Sequence, residues 1–286
     1  MIARSVACLK KRLIARKFSR STKEIWDHVL RKNHGMSLTG FTESRGDVVR
    51  AILNNTEVSR DHMTPELKLF LLTENCPLYR EPFVEAKDDD RRLDAFQDPF
   101  WSIYWPGGQV LTRFILDDRE RVFGRGPRGA GKGAPRRILD LGAGCGATAI
   151  AAKLIGPWQQ VVANDINEVA CVAVAMNAVL NDADIEVSWE NLLERPPEDR
   201  YDVIFVGDLL YDEEIASVLI GWLENAHVRG ARIYLGDPGR HGLTEDLRRR
   251  LRSLRRYSLP ANVQRENHGY DTATVWEFAA GTKRLL

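Results

Sequence analysis

The stretch Asp140-Leu141-Gly142-Ala143-Gly144-Cys145-Gly146 decides how the rest of the chain is read. It closes a short apolar run at residues 137–141 and precedes a segment, 147–155, whose apolar residues recur with helical spacing. A strand that ends in glycines and opens into a helix offers a backbone able to turn tightly and approach a ligand. It also offers the free N–H groups and partial positive charge of a helix start. Gly142, Gly144 and Ala147 satisfy the looser dinucleotide fingerprint G-x-G-x-x-G/A as well, so the loop alone leaves several adenosine-containing cofactors open.

Outward from the loop the same rhythm repeats. Residues 160–164, 185–189, 203–206 and 232–235 read as buried strands, with helices expected at 167–180, 213–227 and 244–254. Such alternation predicts right-handed βαβ units and hence an α/β fold, a doubly wound, mostly parallel sheet covered on both faces. Residues 257–263 and 272–278, with no helix expected between them, are predicted to pair as an antiparallel edge hairpin. Ligands on such sheets bind beyond the carboxyl ends of the strands. Asp165, which follows the second strand, is placed there to accept hydrogen bonds from ribose hydroxyls. Asp140, just ahead of the loop, would repel a pyrophosphate but suits a cofactor carrying an ammonium and a sulfonium. The electrostatics favour S-adenosylmethionine; the weaker alternative is that both carboxylates merely end strands or cap helices.

The 286 residues, 44% hydrophobic and 28% charged, supply one sizeable core with appendages and exclude a chain disordered throughout. No run approaches the roughly 20 apolar residues of a membrane-spanning helix. Cys8, Cys76, Cys145 and Cys171 form no C-x-x-C pair and the six histidines no H-E-x-x-H set, so neither a metal site nor a disulfide framework is expected. The net charge of +1 conceals an uneven distribution, because residues 1–34 hold ten Lys/Arg against Glu24 and Asp27. Ile2, Val6, Leu9 and Leu13 lie on one helical face of this arm, and Ser19, Ser21 and Thr22 follow. That is the composition of a mitochondrial transit peptide, which predicts a matrix protein; a retained basic arm that touches nucleic acid or anionic lipid is the alternative.

Residues 35–98 read as an N-terminal helical extension. Its clearest start is Thr64-Pro65-Glu66, with Thr as N-cap and Pro at the first helical position, followed by Leu67, Leu69, Phe70, Leu71 and Leu72. The acidic run 85–94 is expected to be a solvated linker. Gly126, Gly131 and Lys132 nearly spell a phosphate-binding P-loop, but Gly133 stands where Ser or Thr is needed and the segment precedes a strand. Residues 124–135 are therefore expected to be a flexible connection.

The string at 140–146 resembles the first motif of seven-β-strand methyltransferases. Five further strings are similar to those of the electron transfer flavoprotein β-subunit lysine methyltransferases. They are D-P-F-W-S-I-Y-W-P-G-G at 98–108, N-D-I at 164–166, G-D-L-L-Y-D-E at 207–213, G-D-P-G-R at 236–240 and T-V-W at 274–276. The resemblance runs from about Thr56 to Phe278. The first motif is widely shared; D-x-x-Y at Asp208 to Tyr211 belongs to fewer families, and W-P-G-G and G-D-P-G-R narrow the match. The connection before the first motif is longer than the family's usual form.

The resemblance implies a Rossmann-like methyltransferase domain at 99–286 that moves methyl groups from S-adenosylmethionine to lysine ε-amines of the flavoprotein β-subunit in mitochondria. It implies no nucleic-acid or membrane partner, and oligomeric state is not legible. Trp105, with Pro106 and Gly107, is expected to form a lid over the cofactor, or else to join Phe100, Trp101 and Tyr104 in the core. Trp189, Glu190 and Asn191 are placed near the adenine. With Asp140, Gly142, Gly144, Gly146, Asp165 and Asp208 these complete the candidate cofactor residues. Asp208 is expected to orient the incoming ε-amine and Tyr211 to pack on its stem or hydrogen-bond it, while Arg240 is a candidate contact for the protein substrate. Arginines between 248 and 256 lack an aromatic stacking platform and read as a solvated face. An NAD(P)-dependent oxidoreductase that uses the same loop is the alternative. A cofactor-free adaptor is disfavoured by carboxylates at three strand ends.

Overall fold

The computed structural model describes residues 45–80, 99–124, 137–156, 160–197 and 201–279. The arm at 1–34, the acidic run at 85–94 and the glycine-rich connection beyond Gly124 lie outside the described residues. The extension contributes α1 (Arg45–Asn55), β1 (Glu57–Ser59), β2 (Leu69–Leu71) and α2 (Pro77–Arg80). The main body follows with α3 (Pro106–Asp117), α4 (Arg119–Phe123), β3 (Arg137–Leu141), α5 (Ala147–Ile155), β4 (Gln160–Asn164), α6 (Glu168–Leu180) and β5 (Glu186–Ser188). It continues with β6 (Val203–Gly207), α7 (Glu213–Val228), β7 (Arg232–Asp237), α8 (Glu245–Arg248), β8 (Leu251–Ser258), α9 (Ala261–Glu266) and β9 (Thr272–Phe278).

Seven strands form one sheet in the order β5-β4-β3-β6-β7-β9-β8. The first five run parallel, and β9 lies antiparallel to both its neighbours. Each central strand is apolar on both faces because helices cover both. Ile138 of β3 enters one core cluster while Leu139 and Leu141 enter the other. On the first face Phe114 of α3, Phe205 of β6 and Tyr234 of β7 stack with ring centroids 6.0 to 6.3 Å apart. Asn167 caps α6 by accepting from the Val169 and Ala170 N–H groups, and Asp212 caps α7 by accepting from that of Ile215.

The structure departs from the sequence-based expectation in three places. The helix predicted from Thr64 is a single turn followed by β2. Leu67, Leu69, Phe70 and Leu71 are all nearly inaccessible, whereas a surface helix would leave one flank wet. Thr64 Oγ1 meets His62 Nδ1 and the Tyr104 hydroxyl instead of capping. β2 pairs antiparallel with β1, and amides at the end of α6 satisfy its other edge: Asn177 Oδ1 accepts the Phe70 N–H at 2.7 Å, and the C-cap Asn181 exchanges hydrogen bonds with the Lys68 backbone. The helix predicted at 244–254 is likewise short, and β8 begins at Leu251. Leu251 packs in one core cluster and Leu254 against the other, which a strand can do and one helical face cannot. The antiparallel pair at this edge is present, but its first strand is β8 at 251–258 where 257–263 was expected, and residues 261–266 form α9 between the strands where no helix was expected, because Leu251 to Ser258 find a ladder partner in β9. The arginines of β8 lie along this sheet edge, where Arg252 pairs with Glu277.

Candidate active site

Strand order reverses between β3 and β6, and the crevice of an open α/β sheet lies at the carboxyl ends of the strands beside that switch. Four carboxylates stand at these ends: Asp140 in β3, Asp165 after β4, Asp208 after β6 and Asp237 closing β7. The glycine loop after β3 is tied down from below. Gly144 adopts a φ of +53° and donates its N–H to Asp165 Oδ2 at 2.9 Å. The other oxygen of Asp165 accepts from Asn167 N–H. Asp140 is buried beneath the loop, where Oδ2 accepts the Ala149 N–H in the first turn of α5. Burial raises its carboxyl to about 8, opposed by that hydrogen bond and reinforced by the charge of Asp165.

Asp208 is held differently. Its backbone takes a φ of +58°, unusual for a residue with a side chain, and its carboxylate is 6% exposed. Oδ2 accepts from the N–H groups of Gly107 and Gly108 at the start of α3, and Oδ1 accepts from Arg240 Nε at 2.8 Å. Burial pushes its pKa up, and Arg240 with the two amides pulls it down. The sequence led us to expect an ε-amine against this carboxylate; the structure fills both oxygens with the protein's own donors. The Trp105-Pro106-Gly107-Gly108 string turns out to be a docking element. A Cβ on Gly107 would lie 2.2 Å from the Gly236 carbonyl oxygen, so this glycine approaches β7, where a lid over the cofactor was expected.

Trp105 is part-buried ahead of α3, with Nε1 donating to the Phe100 carbonyl at 2.8 Å. The Arg240 guanidinium lies 5.2 Å from the Trp105 ring centroid and 5.6 Å from that of Tyr270. One cation thus bridges an acid and two rings. Tyr211 is 55% exposed, its hydroxyl pushed up by burial and by the charges of Asp212 and Asp165. Trp189 packs against the first core cluster. Asn191 is exposed and spends Oδ1 on the Leu193 N–H, capping the short turn Leu192–Glu194.

Three contributors were not legible beforehand. Asn164 Nδ2 donates to the Ser188 and Glu190 carbonyls, fixing the ends of β4 and β5. Asp237 Oδ1 accepts from Gly239 and Arg240 N–H groups, while its buried Oδ2 has no partner among the described residues; burial and the charge of Asp208 raise it to about 6. The G-D-P-G-R string flagged that loop but not this arrangement. Tyr270 carried no local signal.

The donor set distinguishes among cofactors. A pyrophosphate needs the amides at the loop and helix start, yet Asp165 takes that of Gly144 and Asp140 that of Ala149. Four carboxylates with Arg240 bonded to one of them suit a ligand bearing positive charge. The residues therefore fit S-adenosylmethionine, and the dinucleotide alternative is not supported.

A family model described as lysine methyltransferase matches residues 89–246. The electron transfer flavoprotein beta subunit lysine methyltransferase of Mus musculus is 40% identical over 230 residues, covering 78% of this chain and 81% of that protein. The protein of the same name from Danio rerio is 38% identical over 241 residues, covering 83% and 85% respectively.

Proposed function

Because the chain belongs to the electron transfer flavoprotein beta subunit lysine methyltransferase family, we propose that its substrate is that β-subunit. The chain is an S-adenosylmethionine-dependent protein lysine methyltransferase. The observation that carries the substrate is the likeness to such enzymes over about four-fifths of their length. The composition of residues 1–34 supports the mitochondrial matrix as the compartment.

When bound, S-adenosylmethionine supplies an activated methyl group on a sulfonium. The protein must present a neutral amine in line with it. A lysine of ordinary pKa is neutral in about one part in 10³ to 10⁴ at pH 7, a deficit of roughly 4 to 5 kcal/mol. Partial desolvation of the ammonium in the crevice pushes the lysine pKa down. Asp208, occupied by three donors, serves as a positioning residue that fixes Arg240 and the start of α3, not as the base. The exposed ring of Tyr211 offers a surface for the lysine stem.

The test is incubation of the full-length chain with radiolabelled S-adenosylmethionine and recombinant β-subunit, with the modified residues mapped by mass spectrometry. Label on lysine is expected. Asp208→Asn should lower kcat/KM by about 10²-fold through misplacement while the cofactor Kd changes little. An unlabelled β-subunit overturns the substrate, and an unimpaired Asp208→Asn overturns the positioning role.

A further inference from the structure

Arg240 is anchored at one end and open at the other. Its Nε donates to Asp208 Oδ1 at 2.8 Å, whereas Nη1 and Nη2 make no hydrogen bond among the described residues. Both Nη atoms keep contact with solvent, unlike the sealed Asp237 Oδ2, although the side chain as a whole is only 13% exposed. Everything else about this residue is fixed. Asp237 Oδ1 accepts its backbone N–H at 2.8 Å, and its carbonyl accepts the Leu243 N–H at 3.0 Å. The Gly242 N–H donates to the Leu210 carbonyl at 2.9 Å, which pins the loop after β7 to the segment that joins Asp208 to Tyr211. A Cβ on Gly242 would lie 2.8 Å from that same oxygen, so the two loops touch. The rings of Trp105 and Tyr270 pack on the guanidinium, with centroids 5.2 and 5.6 Å away. A planar fork held in this way has lost its rotamer freedom before any ligand arrives, which is the condition for binding an acceptor at small entropic cost.

Topology says which ligand meets that edge. The glycine loop follows β3 and Asp165 follows β4, whereas Arg240 follows β7, two strands beyond β3 in the sheet and about 10 Å away at ordinary strand spacing. Arg240 therefore stands on the opposite side of Asp208 from the cofactor residues, where the substrate enters. Charge says what the acceptor is. Asp208 already neutralises the guanidinium, and Asp237 lies close enough that the charge of Asp208 adds to burial in raising its carboxyl. A further carboxylate would be repelled by both acids, while a neutral oxygen would not. In a protein substrate the neutral oxygen present at every residue is the backbone carbonyl.

We propose that the open Nη edge of Arg240 binds a backbone carbonyl of the protein substrate at or beside the target lysine, and thereby selects lysines whose main-chain oxygen is not spent inside a helix or sheet. The inference rests on the reading of the chain as a protein lysine methyltransferase that acts on the flavoprotein β-subunit. Arg240 then reads position, not sequence: it sets how far the main chain stands from the transferred methyl group, while Tyr211, on the loop pinned to it, takes the lysine stem. Loops and the last turn of a helix, where carbonyls lack an intrahelical partner, are the targets such a contact accepts.

The test uses the full chain saturated with S-adenosylhomocysteine and two probes. Nα-acetyl-lysine N-methylamide carries a carbonyl on each side of a lysine, and n-pentylamine carries only the stem and amine. Each is titrated while the side-chain Nε and Cζ resonances of Arg240 are followed by NMR. The amide is expected to shift them and pentylamine to leave them in place. In parallel, Arg240→Lys keeps a cation for Asp208 but loses the fork, so KM for recombinant β-subunit should rise roughly 10- to 100-fold, the worth of hydrogen bonds to a charged group, at an unchanged cofactor Kd. Unmoved Arg240 resonances under the amide, equal shifts under both probes, or a wild-type KM in Arg240→Lys overturn the carbonyl contact and leave the substrate assignment standing. A raised cofactor Kd with an unaltered KM overturns it too, by giving the edge to the cofactor's carboxylate. A shift under the amide in a wild type that leaves the β-subunit unlabelled sustains the contact and overturns the substrate instead.

Discussion

Asp140 shows how much of the site's behaviour is set by one buried carboxyl. With a pKa of about 8 it holds a proton at pH 7, and that proton competes with any cation brought into the crevice. A ligand bearing an ammonium or sulfonium favours the carboxylate and lowers the pKa. Binding at pH 7 should therefore release up to one proton, and affinity should tighten as pH rises toward about 8, then level off. Calorimetry of S-adenosylmethionine binding in buffers of different ionisation enthalpy measures this directly. Asp140→Asn should remove the release, and a buffer-independent heat in the wild type would sink the idea. The identities of Asp140, Asp165 and Asp208 were legible because an acid at a strand end stands out in sequence. Their use was not: hydrogen bonds to Ala149, Gly144 and Gly107 depend on how loops close in space. Tyr270 was opaque for the same reason, since Arg240 reaches it from another loop, whereas Asp237 closes its own loop by accepting from the Gly239 and Arg240 N–H groups.

Elements were most legible where one period ruled. β3, β4, α5 and α7 fall within a residue of their expected bounds because strand runs and helix stripes there are bordered by Asp, Asn or Gly. The failures at β2 and β8 share a cause. Both segments carry leucines at spacings compatible with a helix, and a partner strand decided the outcome: β1, helped by the Asn177 amide of α6, in one case, and β9 in the other. The start of α3 is the element on which the site depends, because it delivers two N–H groups to Asp208 only if Gly107 touches β7. Gly107→Ala puts a methyl against a backbone carbonyl that cannot swing away, and should cost about 1 to 3 kcal/mol with a matching loss of activity. Gly221 in α7 has nothing within 4 Å of its would-be Cβ, so Gly221→Ala should gain roughly 0.5 to 1 kcal/mol. Urea unfolding of the two variants distinguishes them, and similar midpoints would refute the packing account.

At the scale of the molecule, charge is segregated. Residues 1–34 carry net +8, so the remainder carries −7, and four carboxylates of that remainder gather at the strand ends. The sheet itself was foreseeable from alternating strands and helices, whereas the order in which β9 slips between β7 and β8 was not, because edge pairing leaves no mark in local periodicity. The proposed matrix location gives the charge of residues 1–34 a testable consequence. A potential negative on the far side favours inward movement of positive charge by about 2.3 kcal/mol per charge per 100 mV, and the sequence intersperses Ile2, Val6, Leu9 and Leu13 among those charges. Full-length chain offered to energised mitochondria should become protease-protected, and the protected form should lack Met1 on N-terminal sequencing. Dissipating the potential, or replacing Arg4, Lys10, Lys11, Arg12 and Arg16 with Gln, should abolish protection. Recovery of the protein from cells outside mitochondria, with Met1 still in place, would refute the import role of this arm.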